Sequence, residues 1–269
     1  MPAGTVVTLK DGLATPESVL YDDAGDRYLV SNINGPETLA DDNGYIATVA
    51  PDGEVAKWID GAAADVQLDA PKGMAISGDV LWVADISVMR RFDAKTGKQQ
   101  EDVKIDGATF LNDVVADGAG GVYVTDTGLD AKFDAAGTDA VYRIGKDAKV
   151  TTVIKDKDLG HPNGLAMGSG GSVWVASFGT GEIYEIDAKG TKHASTRPPK
   201  GQLDGLLLLD GGEAIVSSWE GKALYKGKGT TWKELVSGVE SPADFGFDTK
   251  RRRLLIPIFA RSAIELHAL

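Results

Sequence analysis

The chain has 269 residues, 42% of them hydrophobic, enough to bury a full core, and all-β architectures of roughly 250 residues are routinely one domain. A formal charge of -12 and a pI near 4.7 argue against a nucleic-acid or anionic-membrane partner, either of which needs a basic face. No run approaches the ~18 apolar residues of a membrane span, and the absence of cysteine excludes disulfides, a thiol nucleophile and thiolate metal sites.

A single domain over residues 1–269 and a monomer are therefore expected. The start, Met1-Pro2-Ala3-Gly4, has neither the basic nor the apolar region of a signal peptide. The chain reads as cytoplasmic, or as periplasmic or secreted with a signal already removed.

In chain order, the 34 glycines separate short runs rich in Val, Ile, Leu, Trp and Tyr, the pattern of strands joined by tight turns. Segments that open a strand align at Glu17, Lys72, Asn112, Asn163, Asp204 and Ala243, with spacings of 55, 40, 51, 41 and 39 residues. A second strand follows each: Tyr28-Leu-Val-Ser-Asn, Leu81-Trp-Val-Ala-Asp, Val122-Tyr-Val-Thr-Asp, Val173-Trp-Val-Ala-Ser, Ala214-Ile-Val-Ser-Ser and Leu254-Leu-Ile-Pro-Ile. Six units of four strands predict an all-β, six-bladed β-propeller. From Ala243 onward there is room for only three strands, so Val6-Val7-Thr8-Leu9 is expected to complete the sixth blade and close the ring.

Turns such as Asp23-Ala-Gly-Asp26 and Ser77-Gly-Asp79 are short, and their face reads as structural. Two long loops, about Ile33 to Gly44 and Thr127 to Asp139, lie on the opposite face, where every first strand also begins. That face is the expected mouth of a central site.

At the mouth, Glu17, Asn112, Asn163 and Asp204 occupy one repeat phase and converge on the axis. Two carboxylates and two amide oxygens, without imidazole or thiolate, suit a hard divalent cation. Calcium is favoured over magnesium because a ring of side chains from four blades tolerates irregular coordination of about 6 to 8 ligands; manganese and zinc stay open. Asn and Asp at strand starts also cap turns, and a structural ion without catalysis is the competing reading of all four together.

Pro16-Glu17-Ser18, Phe110-Leu111-Asn112-Asp113, Pro162-Asn163-Gly164-Leu165 and Leu203-Asp204-Gly205 resemble the senescence-marker-protein/gluconolactonase family, also called regucalcin-like. More distantly they resemble diisopropylfluorophosphatase and the paraoxonases. The resemblance implies a six-bladed propeller with a divalent cation, usually calcium, and lactone or ester hydrolysis at it. It makes Glu17, Asn163 and Asp204 metal ligands, puts Asn112 beside metal and substrate, and makes Asp204 the general base. A cation on the lactone carbonyl acts as a Lewis acid, Asp204 accepts the water's proton, and Asn112 is expected to donate its amide hydrogens to the oxyanion. Phosphotriester cleavage and a non-enzymatic ligand- or ion-binding propeller are the alternatives.

Departures bear on substrate. Sugar-lactone members carry an arginine where this chain has Phe110, which favours a more apolar lactone or ester. Lys72, in the blade-two position of the ring, reads as a contact to an anionic substrate, as a support for Asp204 or Glu17, or as a solvated mouth residue. Asp85 and Asp126 end second strands and read equally as pocket residues or turn caps. His161 precedes Pro162-Asn163 and is the one histidine near the mouth, with a surface turn as the competing reading. Phe178 and Trp219 are expected to wall the pocket, while Trp82, Tyr123 and Trp174 read as packing between blades. Ser217-Ser218 lacks a nucleophile elbow and a histidine partner, so a serine hydrolase is rejected. Arg251-Arg252-Arg253 reads as a solvated hairpin or, less in keeping with the acidic chain, as an anion-docking patch.

Overall fold

A computed structural model describes residues 4–193 and 195–269. Residues 1–3 of the start read for a leader lie outside them. The described chain forms six antiparallel sheets arranged as the blades of a β-propeller. Inner strands Pro16–Asp22, Pro71–Ser77, Leu111–Ala116, Pro162–Met167, Leu203–Leu208 and Gly246–Asp248 pack around the axis. Second strands Arg27–Asn32, Val80–Asp85, Val122–Asp126, Val173–Ser177, Ala214–Ser218 and Arg253–Ile258 pair with them from outside. No helix among the described residues is long and apolar enough to cross a membrane.

Val6–Leu9 pairs antiparallel with Ala263–Ala268, so the sixth blade is built from both ends of the chain, as expected. A second closure lies at the axis. Asp244 N–H donates to the Glu17 carbonyl at 3.0 Å and Val19 N–H to the Asp244 carbonyl at 3.1 Å, a parallel bridge between the last blade and the first. This sideways pairing interrupts the inner strand of blade six, which begins at Gly246 rather than at Ala243: Ala243 N–H still donates to the Pro257 carbonyl of its own blade, whereas Asp244 bonds to blade one. Blade four also departs from the pattern, since its outermost strand is reduced to isolated bridges at Lys192 and Thr196.

The apolar core lies between blades. Trp82 packs with Val114, Val124 and Tyr142 of blade three, Tyr123 against the blade-four cluster around Leu165, and Trp174 against Leu206 and Val216 of blade five. Fully burying a large apolar side chain contributes roughly 1.5–3 kcal/mol; Trp82 is fully buried, and the half-buried Tyr123 and Trp174 contribute less. The arginine run is not a solvated hairpin. Arg253, 4% exposed, donates to Asp248, to the Tyr28 hydroxyl and to the Pro51 carbonyl, and Arg251 pairs with Asp26 at 2.6 Å. Two of the three arginines therefore tie blade six to blade one.

Candidate metal and active site

Five inner strands break register at one place each, between Pro16 and Ser18, Pro71 and Met74, Leu111 and Val114, Pro162 and Leu165, and Leu203 and Leu206. Glu17, Lys72, Asn112, Asn163 and Asp204 fall in these breaks. A bulge frees a residue from the ladder and re-aims its side chain, here toward the channel. The amides released in blades one, three and five are satisfied by hydroxyls: Ser18 N–H donates to Ser31 Oγ, Asp113 N–H to Thr125 Oγ1 and Gly205 N–H to Ser217 Oγ, at 2.8 to 3.0 Å. Thr125 and Ser217 donate onward to the Asn163 and Ala243 carbonyls of the next blade. Ser217 is thus a strut between blades, in keeping with the rejected nucleophile.

Close approach explains the glycine that follows Lys72, Asn163 and Asp204. A Cβ on Gly73 would lie 2.6 Å from the Asp113 Cα, and one on Gly205 2.8 Å from the Phe245 amide. At Gly164 it would strike the Asp204 carbonyl. Glycine lets neighbouring inner strands approach closely enough for the ring to be small.

The four predicted ligands come together as a donor set. Glu17 Oε2, Asn112 Oδ1, Asn163 Oδ1 and Asp204 Oδ1 are all buried without a hydrogen-bond partner. Leaving a buried polar atom unpaired costs about 1–3 kcal/mol, so four in one place fit a bound cation. Only two are carboxylates, and no group of three acidic, histidine or cysteine side chains suited to a metal occurs among the described residues. The amide oxygens complete the set, and its all-oxygen chemistry fits a hard divalent ion. Thr127 fixes one amide: its Oγ1 accepts from Asn112 Nδ2 at 3.1 Å and donates to the Pro162 carbonyl at 2.9 Å. One of the two Asn112 amide hydrogens expected at the oxyanion therefore has a partner in the wall.

Burial and neighbouring carboxylates raise the pKa of both carboxyl groups of the ring. Burial first, then the charges of Asp204 and Asp244, raise the Glu17 pKa well above the carboxylate range. Asp204 is raised by burial and by Asp244, against a lowering by Trp219 and Asn163. A second layer lies under the ring: Ser18 donates to Asp244, whose pKa burial pushes up to about 7, and Asp113, raised by burial and by Asp244, accepts from the Leu165 and Val114 amides.

Above the four oxygens is a cavity of about 170 Å³ lined by Ile33, Glu37, Lys72, Phe110, Thr127, Leu129, Phe133, Phe178, Trp219 and Phe259. A larger hollow of about 680 Å³ lies among the short turns of the opposite face, around Asp22, Gly78 and Asp93, away from this donor set. Phe110 and Phe133 meet edge to face at 6.0 Å on one wall, while Phe178, Trp219 and Phe259 pack in series on another, at 5.6 and 5.2 Å. Phe110, Phe178 and Trp219 are thus where the sequence placed them.

Lys72 is not solvated. It is 1% exposed, donates to the carbonyls of Glu37 at 3.0 Å and Ala70 at 3.1 Å, and sits 4.5 Å from the Phe110 ring centroid. Burial lowers its pKa, and the charge of Glu17 opposes that. Its two bonds fasten the long loop of blade one to the mouth.

Three candidate pocket residues, Asp85, Asp126 and His161, lie outside the cavity. Asp126 accepts from the amides of Thr109, Phe110 and Gly128, so it is a cap that holds the approach to blade three. Asp85 does the same for Asp69 and Ala70 and pairs with Arg90 at 2.7 Å. His161 has a φ of 60°, and its Nδ1 meets the Thr127 carbonyl at 2.8 Å rather than the cavity. Phe110 stands at the same phase without a positive φ and lines the cavity, so backbone conformation separates the two.

The sequence reading missed Ile33, Thr127 and Phe259 as wall residues, although a signal existed. Each lies one residue beyond the end of a second strand, the phase of Phe178 and Trp219. Glu37, Leu129 and Phe133 sit inside the long loops, where no repeat phase applies.

Fold and site together define a propeller with an oxygen donor set on its axis beneath an aromatic cavity. The chain belongs to the SMP-30/gluconolactonase/LRE-like family, whose model matches residues 15–225. No curated protein matches the sequence. Among solved structures, a gluconolactonase from Xanthomonas campestris superposes with a TM-score of 0.77 at 20% identity, over 98% of this chain and 89% of that one. A luciferin-regenerating enzyme gives 0.69 at 15% identity, over 98% and 96%. Virginiamycin B lyase from Staphylococcus aureus gives 0.68 at 13% identity, over 98% and 99%. At these identities the superpositions show a common fold.

Proposed function

We propose that the protein is a metal-dependent hydrolase of a small, neutral lactone or ester with an apolar body. The observation that carries this is the set of four unpaired buried oxygens at the base of an aromatic cavity; family membership supports the lactonase class. Glu17, Asn112, Asn163 and Asp204 would hold a divalent cation, calcium by preference for an irregular oxygen set. When bound, the cation supplies Lewis-acid polarisation of the substrate carbonyl.

Asp204 is the general base in this reading. The cation it would help to hold favours its ionised form, the form that can accept a proton from water. Water adds to the carbonyl carbon as Asp204 takes its proton, and the carbonyl π pair moves onto oxygen. Collapse breaks the bond to the ring or ester oxygen, which receives the proton from Asp204, leaving an acid and a hydroxyl. The aromatic walls keep the remaining space dry, where such charge changes matter most.

Charge and surface select the substrate. Glu17, Glu37 and Asp204 are opposed by Lys72 and one divalent cation, so the loaded cavity carries no net charge and suits a neutral molecule. Its walls offer aromatic faces rather than the hydrogen bonds a polyhydroxylated sugar lactone needs.

A panel of apolar lactones, aldonolactones, aryl esters and phosphotriesters, assayed with calcium and with EDTA, tests the reading. Apolar lactones or esters are expected to be cleaved with calcium and spared in chelator. Full activity in EDTA would refute metal dependence, and a silent panel would favour a binding protein. Asp204→Asn should abolish turnover, and a near-normal rate would remove Asp204 as base.

A further inference from the structure

We propose that the indole N–H of Trp219 is a catalytic hydrogen-bond donor to the substrate's carbonyl oxygen as it gains charge; this rests on the lactone or ester reading above. Trp219 lines the cavity, and its Nε1 is buried with no hydrogen-bond partner. The group is directed at the Asp204 carboxylate, but at a separation too long for an ordinary hydrogen bond. A donor left unpaired at the wall of a site, next to unpaired donor-set oxygens, is complementary to an acceptor brought by the ligand.

Two other donors of the cavity are engaged, and a third, Asn163 Nδ2, belongs to an amide whose oxygen is in the donor set. Asn112 Nδ2 donates to Thr127, and Lys72 Nζ donates to two backbone carbonyls. Trp82 Nε1 is also unpaired, but it lies in the core between blades two and three, with Arg91 4.9 Å from its ring. Position, rather than lack of a partner alone, distinguishes Trp219.

The indole is held before substrate arrives. Phe178 and Phe259 pack on it at 5.6 and 5.2 Å, and its backbone N–H donates to the Gln202 carbonyl at 3.0 Å, two residues before Asp204. A rigid neutral donor strengthens its bond as charge develops on the acceptor and loses little to reorganisation.

The test uses the calcium-loaded protein and a six-membered lactam, which presents the same carbonyl but resists hydrolysis. In ¹⁵N-labelled protein, the Trp219 indole resonance is the one of five that disappears in Trp219→Phe. It should move downfield on saturation with lactam. Trp219→Phe should keep the aromatic packing and the thermal midpoint while lowering kcat about 10²-fold with KM little changed, as for loss of one oxyanion donor. Trp219→His, which restores an N–H, should recover part of the rate. The loss should be equal across aryl esters with good and poor leaving groups.

An indole resonance unmoved at lactam saturation would overturn the assignment, as would a loss confined to KM or one that grows with leaving-group basicity. If Trp219→Phe fails to fold, the wild-type resonance and the histidine variant still decide. A lactam-induced shift without hydrolysis of any lactone or ester would refute the proposed activity while leaving Trp219 as the carbonyl donor.

Discussion

Thr127 Oγ1 accepts the Asn112 amide at 3.1 Å, and this bond decides which end of that amide faces the channel. An asparagine presents oxygen or nitrogen according to its partners, and only the oxygen can ligate a cation. By fixing Nδ2 in the wall, Thr127 leaves Oδ1 unpaired among the donor set. Thr127→Val should therefore lower calcium affinity about 10- to 100-fold, as removing an orienting partner does elsewhere. Thr127→Ser should restore it. Calorimetric titration measures both, and an unchanged affinity in the valine variant would remove Thr127 from the site.

Protonation should oppose the cation. Glu17, Asp113, Asp204 and Asp244 all have raised pKa values, with burial the largest cause and Asp244 pushed up to about 7. Unfolded carboxylates titrate near ~4, so above that pH the chelated, folded protein holds more protons than the unfolded chain. Its stability is then highest at the acid end and falls as pH rises toward neutrality. A cation on Glu17 and Asp204 favours their ionised forms and cancels that loss. The difference in Tm between calcium-loaded and chelated protein should widen from about pH 5 to about pH 8. Calcium binding near neutrality should release protons, seen as a binding enthalpy that depends on the buffer. A gap that narrows with rising pH would contradict the raised values.

How far the sequence carried can be judged from particular residues. The six-fold repeat was legible because each second strand ends in a recognisable phase, and the donor set because Glu17, Asn112, Asn163 and Asp204 share one bulge position. Side-chain direction was not. His161 and Phe110 share a phase, yet only the former has a left-handed backbone. Nor could repeat phase reveal that Lys72 is buried, since its partners are backbone carbonyls, one of them in a long loop. The short inner strand of blade six was also hidden, because Asp244 pairs sideways with Glu17 and Val19 only once the ring has closed.

Asp85 supports the mouth from beneath. It accepts from the amides of Asp69 and Ala70 and pairs with Arg90, which also meets Asp69 and Asp102. Asp85→Ala leaves two amides unpaired and Arg90 short of one carboxylate, a loss of about 3 kcal/mol at the lower end for a broken buried pair. Since Ala70 also holds Lys72, KM should rise as well. Asp85→Asn should cost less, because one oxygen remains. Urea unfolding and steady-state kinetics test this, and a fully stable alanine variant would make the network dispensable.

The pair formed by Lys72 and Phe110 predicts how specificity can be changed. The ammonium lies 4.5 Å from the ring centroid, at the position where the resemblance to sugar-lactone enzymes implies an arginine. Phe110→Arg alone would bring a guanidinium against a buried ammonium, with like charges in a poorly solvated cavity. It should therefore destabilise the protein and bind calcium less well. Lys72→Met combined with Phe110→Arg removes the clash and keeps one cation, so the two changes should couple by about 0.5–3 kcal/mol in a double-mutant cycle. The double variant should also gain kcat/KM for aldonolactones relative to apolar lactones, because the guanidinium offers donors where the ring offered none. Additive stabilities together with an unchanged substrate ratio would show that neither residue sets what enters the cavity.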